Sequence, residues 1–319
     1  MVLILQYLME QVSVINHFYL SIAKPVKIQS KFVSNGCKKM RWFKKENENR
    51  FASYQTDFIS PVELAVNFDQ NTCQQTINKL LAYGTDCWVD VDLLLELLNE
   101  KQHLFQHLLQ KSEIDDLQPH HLKQLMHSHQ VVSLLGNDAD WPELKSQIAM
   151  LLHGSAELSE RMHHFMVCVG GLSGIRNDTV IWNFMAELLH FFHPENYPLM
   201  SRWIWHEQTQ RGVMREFVAQ QNDDCRCKIG GQSVDFEAHR VWFAQQLGKK
   251  GLFQNVHFYI DLIFAQAYAD YILSITPKTQ GKEVLTNDSY VSLSIIANLL
   301  GIDIKQHGST AVVYNATVH

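Results

Sequence analysis

Glutamate–histidine pairs spaced three residues apart are the side chains in this sequence best suited to metal chemistry. Glu160 and His163 form one pair, and Glu187 and His190 form another. Residues three apart share one face of a helix, so each pair can present a carboxylate and an imidazole to the same ion. Only residues 170–177 separate the two helices that would carry these pairs. The spacing makes a divalent transition metal the candidate cofactor and a metal-dependent enzyme a candidate function, with solvated polar helix faces as the alternative.

A glycine-rich connection lies between the same two predicted helices. Residues 170–180 read GGLSGIRNDTV. The stretch resembles the helix-hairpin-helix motif, whose glycines allow backbone N–H groups at a helix N-terminus to approach a DNA phosphate. Arg176 stands where that motif prefers a second glycine, and residues 197–202 lack the Asp of its base-excision relatives. The resemblance implies a non-catalytic DNA contact at Gly171, Gly174 and Arg176, and a plain helix connection is the alternative.

Segment 190–206 is the most unusual stretch by composition. It holds five aromatic residues, three histidines and two prolines in 17 residues. Prolines interrupt regular structure, so the aromatic side chains must pack around an irregular turn, and their burial offsets its entropic cost. We expect either a corner of the core or an aromatic-rich surface or pocket that binds a protein partner. The candidate contacts are His193, Tyr197, Arg202, Trp203, Trp205 and His206.

Positive charge is concentrated at the start of the chain. Residues 1–50 carry nine Lys and Arg against three Glu, a net +6, whereas the whole chain has a net charge of −6, which leaves −12 for the remainder. Such a basic arm is a candidate contact for nucleic acid or an anionic surface, and an exposed segment that folds onto the acidic body is the alternative. The candidate nucleic-acid contacts in this arm are Lys38, Lys39, Arg41, Lys44 and Lys45.

Two apolar segments raise the question of a membrane. Residues 1–23 carry polar side chains at three- and four-residue steps, which favours a buried helix over one on a membrane surface, and a native start at Met40 is a further alternative. Residues 258–275 are nearly all apolar, but Asp261 and Asp270 interrupt them on opposite sides of the helix. A charge at mid-bilayer costs on the order of 2.5–3.5 kcal/mol. We therefore expect a central helix of a bundle and no transmembrane segment.

The cysteines and the motif content exclude several classes of protein. Six scattered cysteines are too few for a disulfide framework in 319 residues, which indicates free thiols in the reducing cytoplasm. Cys168 lies in an apolar helical run, where a buried thiol is expected. Cys225 and Cys227 have one residue between them, not the two of a zinc ribbon. The sequence contains no nucleophile elbow, P-loop, dinucleotide fingerprint or His-Glu-x-x-His motif.

Amphipathic periodicity and capping signals predict an all-α fold, an irregular and soluble multi-helix bundle with at most one short hairpin, at 226–234. The expected helices span about residues 70–83, 91–111, 119–135, 141–153, 156–169, 178–193, 235–247, 254–275 and 288–300, with shorter helical pieces at about 201–207 and 212–221. The expected segments are 1–50 (an apolar helix and the basic arm), 51–136, 137–276 (the central core) and 277–319.

Three functions stay open on the sequence. The leading hypothesis is a cytoplasmic, non-enzymatic interaction or accessory protein that binds another protein through segment 190–206. The second is a metal-dependent enzyme with the Glu and His ligands on adjacent helices. The third is a helix-hairpin-helix-like DNA-binding protein that also uses the basic arm.

Overall fold

The chain divides into two units, residues 1–60 and 61–319. The computed structural model describes residues 67–84, 89–126, 139–172, 177–219, 231, 233–275 and 288–304, all of them in the second unit. The predicted N-terminal helix and basic arm lie outside the described residues. So do the expected segment boundaries after residues 50, 136 and 276.

The regular structure of the described residues is helical, which confirms the predicted all-α class. The helices are α1 (Gln70–Leu81), α2 (Val91–Leu108), α3 (Pro119–Leu125), α4 (Trp141–His153), α5 (Leu158–Gly170), α6 (Asp178–Phe192), α7 (Ser233–Gly248), α8 (Val256–Ile275) and α9 (Asp288–Leu300). Two 3₁₀ turns lie at Ile114–Asp116 and Val213–Phe217.

Most helix ends lie within three residues of their expected positions, and the exceptions are local. The helix predicted to reach residue 135 ends at Leu125, and Met126 is already extended. Of the two short helical pieces, the first is a turn at residues 202–204 and the second is the 3₁₀ turn Val213–Phe217. The hairpin predicted at 226–234 lies mostly outside the described residues, and its last two residues begin α7.

Side chains that accept hydrogen bonds from the first turn fix the starts of three helices. The Asp69 carboxylate accepts from the Asn71 N–H at 2.9 Å, and the Asp90 carboxylate accepts from the Leu93 N–H at 2.8 Å. Asn177 caps α6 in the same way. Such caps are worth about 1 kcal/mol each, because they satisfy amide groups that have no partner within the helix.

Helix α8 is the central helix of the fold, as its apolar sequence predicts. It packs against α1, α2, α7, α9 and the Val213–Phe217 turn. Twelve of its side chains, from Phe258 to Ile272, are buried. Asp261 is buried and faces α6, whereas Asp270 pairs with Lys79 of α1. None of the described helices is long and apolar enough to cross a membrane.

Helix α6 joins the other helices to this centre. It packs against α2, α4 and α5, with Phe184 of α6 and Phe165 of α5 in contact at a ring separation of 6.1 Å. One continuous cluster of buried apolar side chains runs from Phe68 to Ile304. The polar groups described below lie around α6, where its side chains contact those of neighbouring elements.

Candidate functional site

Glu187 of α6 pairs with a lysine inside the core. The Lys101 ammonium of α2 donates to the Glu187 carboxylate and, at 2.8 Å, to the carbonyl of Leu300 at the end of α9. It also lies 3.9 Å from the centre of the Phe191 ring. Lys101 is only 5% exposed, and burial lowers its pKa while Glu187 opposes that shift. The lysine therefore ties α2, α6 and α9 together.

His190, one helical turn further along α6, pairs with Asp261 of α8. Its Nε2 atom lies 2.8 Å from Oδ2 of Asp261, and its Nδ1–H donates to the Tyr197 carbonyl at 2.8 Å. His190 is 1% exposed and Asp261 3%. Both ring nitrogens are occupied, so the geometry leaves no free nitrogen on His190 to bind a metal or accept a substrate proton.

The two predicted metal pairs lie apart. Glu187 and His190 are used by the internal ion pairs, whereas Glu160 and His163 are exposed on α5, whose buried side is formed by other residues. Among the described residues, no group of three or more His, Cys, Asp or Glu side chains is arranged to hold a metal ion. The three-residue spacing showed that each Glu and His share one helix face. It did not show which residues of neighbouring helices contact that face.

Two further histidines that the sequence analysis did not single out border a small cavity next to this ion pair. His239 of α7 and His257 of α8 each have a buried ring nitrogen, Nδ1 and Nε2 respectively, with no hydrogen-bond partner among the described residues. Burial lowers the pKa of both to about 4, so both imidazoles are neutral near pH 7. The volume of this cavity that the centre of a water molecule can occupy is about 10 Å³, which is enough for about one water.

Segment 190–206 is largely a corner of the core. Trp205 is 1% exposed, which excludes it as a direct contact for a partner, and Tyr197 is partly buried against the core. The corner is tied to α7, because Arg240 donates to the carbonyls of Pro194 and Glu195 at 2.7 Å each. The aromatic composition thus reflects packing at this turn, and only part of the segment faces outward.

Arg202 is the outward-facing feature of this corner. Its guanidinium lies 3.9 Å from the centre of the Trp182 ring, and the Trp182 N–H donates to the Met200 carbonyl at 2.6 Å. Arg202 and Trp182 are both partly buried. The guanidinium forms no hydrogen bond or ion pair with the described residues, although Glu207 and Asp178 are near enough to raise its pKa against the lowering by burial. The stacking on Trp182 holds its N–H donors in position.

Two more of the candidate contacts, His206 and Trp203, lie close to Arg202 in the sequence. His206 is partly buried, and its Nδ1 has no partner among the described residues. Its pKa is lowered mainly by burial and to a smaller extent by the charge of Arg202.

Trp203 is partly buried and packs edge-on against Tyr268 of α8, with ring centres 5.9 Å apart. Tyr271 and Ile275 continue the same face of α8 and are 42% and 44% exposed. His193, the remaining candidate, is exposed.

The glycine-rich connection joins α5 and α6 as the helix-hairpin-helix resemblance implies. Gly171 follows the last residue of α5, whereas Gly174 and Arg176 lie outside the described residues. The amides of Thr179 and Val180, at the start of α6, already donate to Asn177 Oδ1. A phosphate would have to compete with that cap, so the described part of the motif gives a DNA contact little support. The basic candidates of the N-terminal arm lie outside the described residues.

Of the residues that the sequence did not identify as candidates, Lys101 could have been found from its position. Lys101 occurs seven residues after Leu94, three after Leu98 and four before Phe105, which places it on the buried face of α2. A lysine in that register predicts a buried carboxylate partner. No comparable pattern in the sequence identifies Trp182 as the platform for Arg202.

The fold and these groups define an all-α multi-helix protein with a charge-paired core. Comparison of this chain with protein-family models, with curated proteins and with solved structures found no match.

Proposed function

We propose that this chain is an interaction protein that binds another protein through the outward side of the 190–206 corner, with Arg202 as the central contact. Arginine and tryptophan dominate the energy of protein interfaces, because they combine apolar contact area with directed hydrogen bonds. The observation that carries the proposal is the Arg202 guanidinium, stacked on Trp182 with its donors unoccupied by the described residues.

The stacking restricts the guanidinium before a partner arrives. A fixed planar guanidinium presents two parallel N–H donors that match a carboxylate, and this preorganisation reduces the entropy lost on binding. Trp203, the next residue along the chain, packs against Tyr268 and supplies aromatic area at this corner. These features favour a partner segment that places an Asp or Glu carboxylate beside an apolar side chain.

The cysteines support a reducing compartment for this interaction. Cys73 and Cys168 are free thiols, as expected for a cytoplasmic protein. Neither the metal-dependent enzyme nor the DNA-binding protein gains comparable support, because Glu187 and His190 are engaged in ion pairs and the first amides of α6 are capped.

Three variants of the full chain test the proposal. Immobilised wild-type protein is exposed to extract of its native host, and retained proteins are quantified by mass spectrometry. Arg202→Ala removes the guanidinium, and Arg202→Lys keeps the charge without the planar pair of donors. Arg211→Ala is the matched control, because Arg211 is an exposed arginine nine residues away.

We expect a host protein that is retained by the wild type and by Arg211→Ala but lost with both Arg202 variants. For that partner, Arg202→Ala should weaken binding by about fivefold or more, corresponding to the roughly 1 kcal/mol that marks an energetically important contact. Retention of every bound protein by Arg202→Ala, or no specific retention by the wild type, contradicts the proposal. Thermal unfolding of each variant checks that the fold is intact.

A further inference from the structure

The small cavity beside His190 and Asp261 lies between α7, α8 and the turn that follows α6. Phe236 and His239 of α7, His257 of α8 and Leu199 of the turn all contribute to its walls. The volume open to the centre of a water molecule, about 10 Å³, suffices for one water and is too small for a larger ligand. The size of the cavity therefore restricts its occupant to a single molecule as small as water.

Two buried ring nitrogens on different helices border this cavity. His239 is only 6% exposed, and its Nδ1 has no hydrogen-bond partner among the described residues. The same holds for the buried Nε2 of His257, so the two rings do not bond each other. An unsatisfied buried polar atom costs about 1–3 kcal/mol, and a water bonded to both nitrogens would avoid that cost twice. The two nitrogens thus indicate a ligand between α7 and α8.

The protonation state of the two histidines defines the chemistry of that ligand. Burial lowers the pKa of His239 and His257 to about 4, so both rings are neutral near pH 7. A neutral imidazole has one nitrogen that donates and one that accepts, and either can face the cavity. A metal ion needs lone pairs only, whereas water both donates and accepts and so suits either tautomer. Water is therefore the ligand that fits both the volume and the ring nitrogens.

Asp261 provides a third polar group at the cavity wall. Its Oδ2 lies 2.8 Å from Nε2 of His190, and its side chain also lines the cavity. A carboxylate has more than one acceptor position, so this pairing with His190 leaves capacity for another hydrogen bond. Three polar side chains thus border the space, which matches the roughly three hydrogen bonds that a buried water forms. An entirely apolar cavity of this size would stay dry.

We propose that this cavity is a binding site for one structural water, hydrogen-bonded to Nδ1 of His239 and to Nε2 of His257. The water joins α7 to α8 and satisfies a buried nitrogen on each helix. Arg240, the residue after His239, also lines the cavity and donates to two carbonyls of the 190–206 corner. The water therefore stabilises the turn of α7 that holds this corner.

The first test is a crystal structure of the full wild-type chain at a resolution that shows ordered water. We expect one peak of water density within about 3.2 Å of both His239 Nδ1 and His257 Nε2. Three results overturn the proposal: a cavity without density, a peak within reach of only one of the two nitrogens, or a direct hydrogen bond between the two rings.

The second test counts long-lived waters in solution by oxygen-17 relaxation dispersion. The double variant His239→Phe/His257→Phe keeps a ring at each position but removes both nitrogens, so it should hold one long-lived water fewer than the wild type. His103→Phe is the control, because His103 is exposed on α2, and it should keep the wild-type count. An unchanged count in a double variant whose fold is intact by circular dichroism contradicts the proposal. If that variant does not fold, the wild-type crystal structure decides.

Discussion

His190 and Asp261 are joined in the core at 2.8 Å between Nε2 and Oδ2, and this contact connects the last turn of α6 to the first turns of α8. The Tyr197 carbonyl occupies the other ring nitrogen of His190. A buried pair of this kind contributes little when compared with apolar residues in its place, but removing one partner is costly because the other remains in a low-dielectric surrounding.

Asp261→Leu should therefore destabilise the fold by about 3 kcal/mol, because it leaves Nε2 of the buried His190 without a hydrogen-bond partner. The control is Asp270→Leu on the same helix. Asp270 pairs with Lys79 at the surface, with side chains 36% and 48% exposed, so its loss should cost less than about 1 kcal/mol. Urea unfolding at pH 7 measures both, and equal effects would contradict the assignment of His190 and Asp261 as a buried pair.

The buried neutral histidines predict a stability that falls in acid. The pKa of His239 is about 4 in the folded chain against 6.5 for an unburied histidine, so between these values the unfolded chain binds more protons. Stability is complete above about pH 6.5 and decreases as the pH falls toward 4, by on the order of 3 kcal/mol for this group. Denaturant unfolding measured across this range should show the decrease.

His239→Leu isolates this contribution from the carboxylates that titrate nearby. The variant lacks the titrating group, so its stability should decline less steeply than that of the wild type between pH 6.5 and 4. Parallel pH profiles for the two proteins would show that His239 is not held neutral by burial.

Lys101→Met should loosen the end of α9 as well as lower the overall stability. The methionine keeps an apolar stem but leaves the Glu187 carboxylate and the Leu300 carbonyl without their donor. Hydrogen exchange of the α9 amides should accelerate by more than exchange in α1, which the lysine does not contact. Lys79→Met, at the exposed ion pair, is the control and should leave exchange in α9 unchanged.

Gly212 predicts a strong effect of adding a single methyl group. Its φ is +139°, and a Cβ atom there would lie 2.3 Å from the Ile204 carbonyl oxygen, which is backbone and cannot move aside as a side chain would. Gly212→Ala should cost about 3 kcal/mol or more. Gly251 has φ +76° with nothing within 4 Å of the added atom, so Gly251→Ala should cost only about 1 kcal/mol. Thermal unfolding compares the two, and similar losses would argue against the close approach.

The sequence predicts helices better than it predicts their neighbours. The start of α4 at Trp141 and its end before Gly154 follow from Pro142 in the first turn and from the glycine after the last residue. The opposite sides of Asp261 and Asp270 follow from the helical period. The partner of each aspartate does not, because His190 is 71 residues from Asp261 along the chain, and periodicity specifies a face without specifying which helix lies against it.

The candidate site was harder to predict for the same reason. The 190–206 composition identified the aromatic corner and included Arg202, but it gave Trp205 and Arg202 equal weight. Tertiary packing separates them, because Trp205 lies inside the core while Arg202 rests on Trp182, twenty residues earlier in the chain. A similar argument applies to Cys168, which was expected to be buried but is partly exposed, because Phe165 and Val169 take the buried positions of α5.

Lys101 donates two hydrogen bonds, one to Glu187 and one to the Leu300 carbonyl, and His190 pairs with Asp261. Together these contacts limit how the helices can align. Sliding α2, α6 or α8 by one turn would leave at least one ionised or polar group facing hydrocarbon, at a cost that apolar contacts alone would not impose. Two leucine-rich helix surfaces can pack in many alternative alignments, whereas paired polar groups are satisfied in only one. The polar groups at the centre of this protein thus make a single alignment of α2, α6, α8 and α9 far more favourable than its shifted neighbours.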